Sequence, residues 1–280
     1  MSIAWTEIQQ ARLIELAADE VKLAMQFEDT SARDRAFQQL EKQLVKVERQ
    51  KLQELREGPR RPGLCRLERR LTDLLVENNF VQVTTPTILS KGLLAKMSIG
   101  DNHPLAAQIF WLGNDKCLRP MLAPHLYFVL KDLLRLWEKP VRIFEIGSCF
   151  RKESQGAQHS NEFTMLNLVE MGLAEDQRQA RLEEMAALVT AAAGIDDYII
   201  QSEDSAVYGE TIDILAGRDR LEIGSAAMGP HALDQAWQIT DAWMGIGFGL
   251  ERLLMIADKS RSLGKMGRSL AYLDGIRLNI

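Results

Sequence analysis

Two long strand-like runs, VRIFEIGSCFR at 141–151 and FTMLNLVEM at 163–171, constrain this chain most, because only a polar loop separates them. The first has the β-branched and aromatic content of a strand. The second alternates, so that Phe163, Met165, Asn167 and Val169 share one face. Together they predict a hairpin. ETIDIL and RLEIGSAAM follow as further strands, with the alanine-rich LEEMAALVTAAAG and the closing GLERLLMIA as helices. Strands joined by loops, without regular crossover helices, point to an α+β fold with an antiparallel sheet flanked by helices.

Ahead of this region, residues 5 to 27 and 31 to 57 read as two helices, the second with Phe37, Leu40, Leu44 and Val47 at helical spacing. They are expected to pair as an N-terminal helical hairpin. EGPRRPG at 57–63 cannot continue a helix, since its prolines lack N–H donors and its glycines favour turns. A domain boundary is placed there, giving an extension over 1–60 and a larger domain over 61–280. A third helix carries Leu64, Leu67, Leu71, Leu74 and Leu75, and FVQVTTPTIL reads as a strand. Another helix spans roughly Pro124 to Trp137.

With 280 residues, 46% of them hydrophobic, the chain is long enough for one sizeable core plus an appended unit. The N-terminus is acidic where a signal peptide is basic and then apolar, which predicts a cytoplasmic protein. Cys65, Cys117 and Cys149 show no paired spacing, so neither a disulfide framework nor a zinc site is indicated. A net charge of −5 argues against indiscriminate wrapping of nucleic acid. The average hides an asymmetry, however: residues 31–70 hold twelve Lys or Arg against six Asp or Glu. That segment suits either a phosphate backbone or a solvated helical face.

The hairpin loop gathers Arg151, Glu153 and His159 opposite Phe163. A guanidinium fork beside an aromatic face suits a nucleotide, with phosphate on the arginine and base on the ring. Taken singly, Arg151 also reads as a surface ion-pair partner and Phe163 as core. GIGFGLERLLMI, at 245–256, fails the dinucleotide glycine pattern because Leu250 stands where a glycine is required and no βαβ unit surrounds it. Its glycines instead let a backbone approach a ligand while the next helical turn projects Arg252.

An arginine before a hairpin loop, a glycine-rich strand entering a helix at Glu-Arg, and a helix followed by a strand ending at Pro86 resemble the three signature motifs of class II aminoacyl-tRNA synthetases. LRPMLAPHLY, IFEIGSCFRKES, EFTMLNLVEMG, VYGETIDI and GFGLERLL resemble, in order, the catalytic domain of the pyrrolysyl-tRNA synthetase family, over most of residues 60–280. The short N-terminal helices resemble the form that lacks a separate tRNA-binding domain. The resemblance implies ATP-dependent formation of an aminoacyl adenylate from pyrrolysine or a similar Nε-acyl-lysine, and transfer to the amber-decoding tRNA(Pyl). It implies catalytic roles for Arg151 on the α-phosphate and Arg252 on the far end of the bent triphosphate. Glu153, His159, Ser160, Asn161 and Phe163 would contact adenosine, and Glu222 and Ser225 would hold Mg2+ as well as ATP. Met121, Leu126, Tyr127, Leu130, Val169, Trp243 and Gly245 would wall the amino-acid pocket, with Asn167 reading the acyl carbonyl and Tyr208 closing over the substrate. The motif-1 segment, about 64–87, would form a homodimer interface, and the 1–60 extension would face the tRNA.

Three positions depart from the family pattern: His125 replaces an asparagine, Asn161 a glutamate, and Ile246 a small residue between two glycines. Ile246 narrows the pocket, faces away from it, or marks a paralogue or engineered variant. Two rival readings are a class II paralogue that passes its adenylate to a non-tRNA acceptor and a catalytically silent tRNA-binding paralogue. Retention of Arg151, Arg252, Glu222 and Phe163 speaks against the silent one.

Overall fold

Helix α1 (Glu7–Glu15) begins where the Thr6 hydroxyl accepts the Gln9 N–H and the Gln9 side chain answers the Thr6 N–H, a reciprocal cap. The long helix expected over 5–27 stops there. Ala17 adopts a left-handed conformation, φ 56°, and Asp19 caps a separate short helix, α2 (Glu20–Leu23). Asp29 then caps α3 (Thr30–Glu57) through the Ala32 N–H. Leu40 and Leu44 of α3 close over Trp5, Leu13, Leu16 and Phe27, with Phe37 at the edge. Val47, read as part of the same stripe, stays 47% exposed. The structure, a computed structural model, describes residues 2–152, 160–205, 207, 209–260 and 262–280. Glu153, His159 and Tyr208 lie outside the described residues.

The chain divides into two compact units, 1–62 with 269–280, and 63–268. In the second, α4 (Gly63–Glu77) buries Leu64, Leu67, Leu71 and Leu75 on one face. A left-handed Asn79 turns the chain into β1 (Val81–Gln82). The single strand expected from FVQVTTPTIL is therefore two short pieces, β1 and β2 (Ile88–Ser90), separated at Pro86, which cannot donate to a ladder. After α5 (Lys91–Ala95), β3 (Lys116–Leu118) pairs with β2. Pro124 sits in the first turn of α6 (Ala123–Leu136), where its missing N–H costs nothing.

Then comes the hairpin: β4 (Val141–Phe150) pairs antiparallel with β5 (Glu162–Met171) along its whole length. Helix α7 (Arg178–Ala193) ends on a left-handed Gly194, and β6 (Tyr198–Ser205), which no sequence pattern singled out, leads to β7 (Gly209–Ala216) and β8 (Leu221–Gly229). The turn-like α8 (Asp234–Trp237) precedes β9 (Trp243–Gly249), α9 (Leu250–Ala257) and α10 (Leu263–Met266). The seven-stranded sheet runs β1-β4-β5-β9-β8-β7-β6, antiparallel except for β1 with β4. The last residues, β10 (Tyr272–Leu273) and β11 (Ile276–Arg277), belong with the first unit, where the Arg277 N–H donates to Glu48 of α3.

Strand alternation assigns each face its core. Leu166, Leu168, Ala226, Ile246 and Phe248 pack beneath α4, α7 and α9. Val169, Ala227 and Trp243 belong to the opposite face, with Leu126, Tyr127 and Leu130 of α6. Ile246 is thus fully buried in the helix-side core, and of the two placements open to it the structure selects the one facing away from the pocket.

Candidate functional site

On the α6 side of the sheet, side chains in register form rows across the strands. One row runs Ile143, Val169, Gly245, Ala227; the next runs Glu145, Asn167, Gly247, Ser225, Asp213. An apolar row thus lies beside a polar one. Beyond Trp243, β9 has only Gly245, Gly247 and Gly249 on this face, and a cavity of about 330 Å³ occupies the space they leave. At its buried end stand Met121, Leu126, Tyr127, Leu130, Val169 and Trp243, all under one-tenth exposed. At its open end stand Arg151, Ser160, Phe163, Glu222, Ser225 and Arg252. Asn167 lies between the two. Among the described residues the expected site residues are therefore lining neighbours, except Asn161, which is exposed outside the lining and whose carbonyl accepts the Arg151 N–H.

Each arginine is held before any ligand arrives. Arg151 donates through Nε to the Pro120 carbonyl at 2.9 Å, and its guanidinium lies 5.3 Å from the centre of the Phe163 ring. Arg252 donates through Nη1 to the Glu222 carbonyl at 2.9 Å, with the Glu222 carboxylate 3.5 Å away. The guanidinium forks are fixed in direction at a rim where an anion can approach.

Glu222 and Ser225 are three residues apart and would point to opposite faces of a regular strand. A bulge changes this. Ile214 pairs with Gly224 but Leu215 pairs with Glu222, so Ile223 is an extra residue that turns into the helix-side core. Glu222 consequently reaches the cavity face with Ser225, whose hydroxyl donates to Asp213 Oδ1 at 2.8 Å. Desolvation of the carboxylate pushes the Glu222 pKa up; Arg252 opposes it and the nearby Asp213 reinforces it. A carboxylate so placed is a natural partner for a cation. Among the described residues no three His, Cys, Asp or Glu form a cage, so an ion here would draw further oxygens from a ligand. An oxygen-only donor set of two carboxylates and a hydroxyl fits Mg2+ in that shared mode.

Asn167 Nδ2 donates to the Ile246 carbonyl at 2.9 Å. That bond orients the amide and leaves its oxygen and second N–H for the cavity.

Two buried carboxylates, Glu145 and the cavity-lining Glu251, had no assigned role in the sequence. Glu145, opposite Asn167, pairs with Arg119 at 2.7 Å, and both are nearly inaccessible. Arg119 also reaches the Ser148, Thr85 and Pro86 carbonyls, while Thr85 donates to Glu145. This network ties the segment around Pro86 to β4. Glu251 accepts the Thr164 N–H with both oxygens, each at 2.9 Å, and burial raises its pKa against that bond and the nearby Arg268. It anchors the first turn of α9, from which Arg252 projects. His125, at a departing position, is buried away from the lining; burial first and Arg119 second depress its pKa. The signals for Arg119, Glu145 and Glu251 are tertiary, since their partners lie 26 or more residues away.

A family model described as the tRNA synthetases class II core domain (F) matches residues 51–271. Among solved structures, a pyrrolysyl-tRNA synthetase from Desulfitobacterium hafniense is 55% identical, with a TM-score of 0.94, and each chain is covered in full. A second structure from that organism, of PylSc, a pyrrolysyl tRNA synthetase, is 54% identical with a TM-score of 0.91, covering 100% of this chain and 96% of that one. Among curated proteins, the threonine--tRNA ligase of Buchnera aphidicola subsp. Schizaphis graminum is 32% identical over 97 residues, which are 33% of this chain and 15% of that protein. The chain thus spans a small part of that relative's length.

Proposed function

The chain belongs to the class II tRNA synthetases and, within them, to the pyrrolysyl-tRNA synthetase family, and from that premise we propose that it activates pyrrolysine or a similar Nε-acyl-lysine with ATP and transfers it to tRNA(Pyl). One observation carries the reading: a single cavity joins an arginine-flanked open end to a deep apolar end, with one amide between them. A lysine capped by an acyl group fills such a space, whereas free lysine would bury an unpaired ammonium.

The amino-acid carboxylate is already ionised at neutral pH, so adenylate formation needs no general base. Catalysis then rests on alignment and charge neutralisation. Arg151 meets the α-phosphate and Arg252 the far end of the triphosphate. Phe163 stacks on adenine, and Glu222 and Ser225 would hold Mg2+, which would supply neutralisation of phosphate charge. The Asn167 amide donates to the acyl carbonyl. Arg151→Ala should cut acyl-lysine-dependent pyrophosphate exchange by at least about a hundredfold, the scale of a lost preorganised donor. Near-normal exchange would remove Arg151 from the mechanism. Charging of tRNA(Pyl) by the wild type tests the reading as a whole: adenylate formation without charging would favour the non-tRNA acceptor.

The working unit in this proposal is a two-fold homodimer built on the motif-1 segment. Val76 and Val81 there, and Ile88 just after it, are each about half exposed, apolar surface that a second copy would cover. No described helix is long and apolar enough to cross a membrane.

A further inference from the structure

Two walls of the cavity's buried end, Tyr127 and Trp243, come from different elements, α6 and β9, and meet edge to face with ring centres 5.8 Å apart. Tyr127 is stacked on its other side by Trp237, at 5.3 Å and 17°. Ring packing limits where these rings lie, yet rotation within the packed plane remains to be fixed. Both polar tips end on one carboxylate. Asp234, 3% exposed and outside the cavity lining, accepts the Tyr127 hydroxyl on Oδ1 at 3.0 Å and the Trp243 Nε1–H on Oδ2 at 2.8 Å. Its Oδ2 also accepts the His231 N–H at 2.7 Å. Gly229, opposite Trp243 in the ladder, leaves room for that indole, since a Cβ there would overlap it.

We propose that Asp234 is a positioning residue that sets the depth of the amino-acid pocket, and with it the preference for long side chains, without touching the substrate. The proposal deepens the functional reading above and rests on it. A buried carboxylate is held here by three donors, and each bond constrains a wall or the loop bearing the carboxylate itself. A short acyl-lysine stops before these walls; a long one must pack against both. The two oxygens also differ in their demands. Oδ2 receives two N–H groups that can only donate, whereas Oδ1 receives a hydroxyl that can either donate or accept. Asparagine can therefore replace Asp234 with its oxygen at the Oδ2 position and its amide nitrogen donating to Tyr127. Alanine removes the acceptor of two N–H donors, of which the Trp243 Nε1–H is buried.

The test is pyrophosphate exchange by the full chain, with ATP, a long acyl-lysine such as the tert-butoxycarbonyl derivative, and a short one, Nε-acetyl-lysine. Wild-type exchange with the long substrate comes first, and its absence would overturn the functional reading itself. Given that activity, Asp234→Ala should raise KM for the long substrate at least about tenfold, the scale of stranded buried donors. KM for the short substrate and for ATP should stay within about twofold, and Asp234→Asn should match wild type within about threefold. Should Asp234→Ala fail to fold, Asp234→Leu decides: it keeps the volume but accepts no hydrogen bond, and KM for the long substrate alone should rise by a similar factor. Equal losses on long and short substrates, an Asn variant as impaired as the Ala variant, or an unchanged KM for the long substrate in Asp234→Leu would each overturn the proposal.

Discussion

Ile246 and Asn167 sit opposite neighbouring positions of one ladder and belong to different problems. The Ile246 side chain fills the helix-side core, so Ile246→Ala should destabilise the protein by about 2–5 kcal/mol and leave the range of accepted side chains unchanged. A denaturant midpoint measured beside exchange rates checks both halves. Asn167→Ala should lower activity on acyl-lysines about ten- to a hundredfold, since one buried hydrogen bond is worth roughly 1–3 kcal/mol when its partner is stranded. Substituted phenylalanines should improve, because they strand no acceptor and occupy the vacated volume. Parallel loss on every substrate would mean that the amide serves only its bond to the Ile246 carbonyl. The cysteines offer a third check at this scale. Burial pushes Cys117 up to about 11 and Cys149 up to about 12, while Cys65 is exposed. At pH 8 about one thiol in a thousand or fewer is ionised at a pKa of 11, so a thiol reagent should modify no cysteine other than Cys65 in the native state. Rapid labelling of a second cysteine without unfolding would contradict the placement of β3 or β4.

At the scale of elements, glycines divide by what faces them. A Cβ at Gly247 would make only ordinary contacts, the nearest being Asn167 Nδ2 at 3.8 Å, so Gly247→Ala should leave stability nearly unchanged while taking volume from the cavity floor. Its effect should appear as weaker exchange with long substrates. On β4, a Cβ at Gly147 would overlap the Arg119 guanidinium, which is already committed to Glu145 and to the carbonyls around Pro86. Gly147→Ala should therefore unseat a buried ion pair and cost about 3–5 kcal/mol. Comparable melting temperatures for the two variants would refute the distinction. The sequence shows both residues only as glycines in strands; the difference lies in partners up to 80 positions away.

For the whole molecule, light scattering at micromolar concentration should give twice the 31.6 kDa chain mass, and a monomer would remove the motif-1 interface. Arg60, Arg61 and Arg66 are exposed within the basic segment, and neutralising them should flatten the salt dependence of tRNA binding without altering pyrophosphate exchange. An unchanged slope would leave the segment as a solvated surface. The sequence by itself determined the α+β class, the central hairpin, the motif residues and which residues of β5 share a face. These follow from period-2 alternation, from proline and glycine, and from locally spaced side chains, all of which act within a few residues. It left Ile246 with two possible directions and gave no sign of the bulge that turns Glu222 toward Ser225, because alternation is known only once register is set by a neighbouring strand. The break between α1 and α2, the tail joined to α3, and the pairs Arg119–Glu145 and Asp234–Trp243 were decided only by tertiary structure. A buried charge is tolerated only where distant donors converge on it, and that convergence is a property of the folded chain.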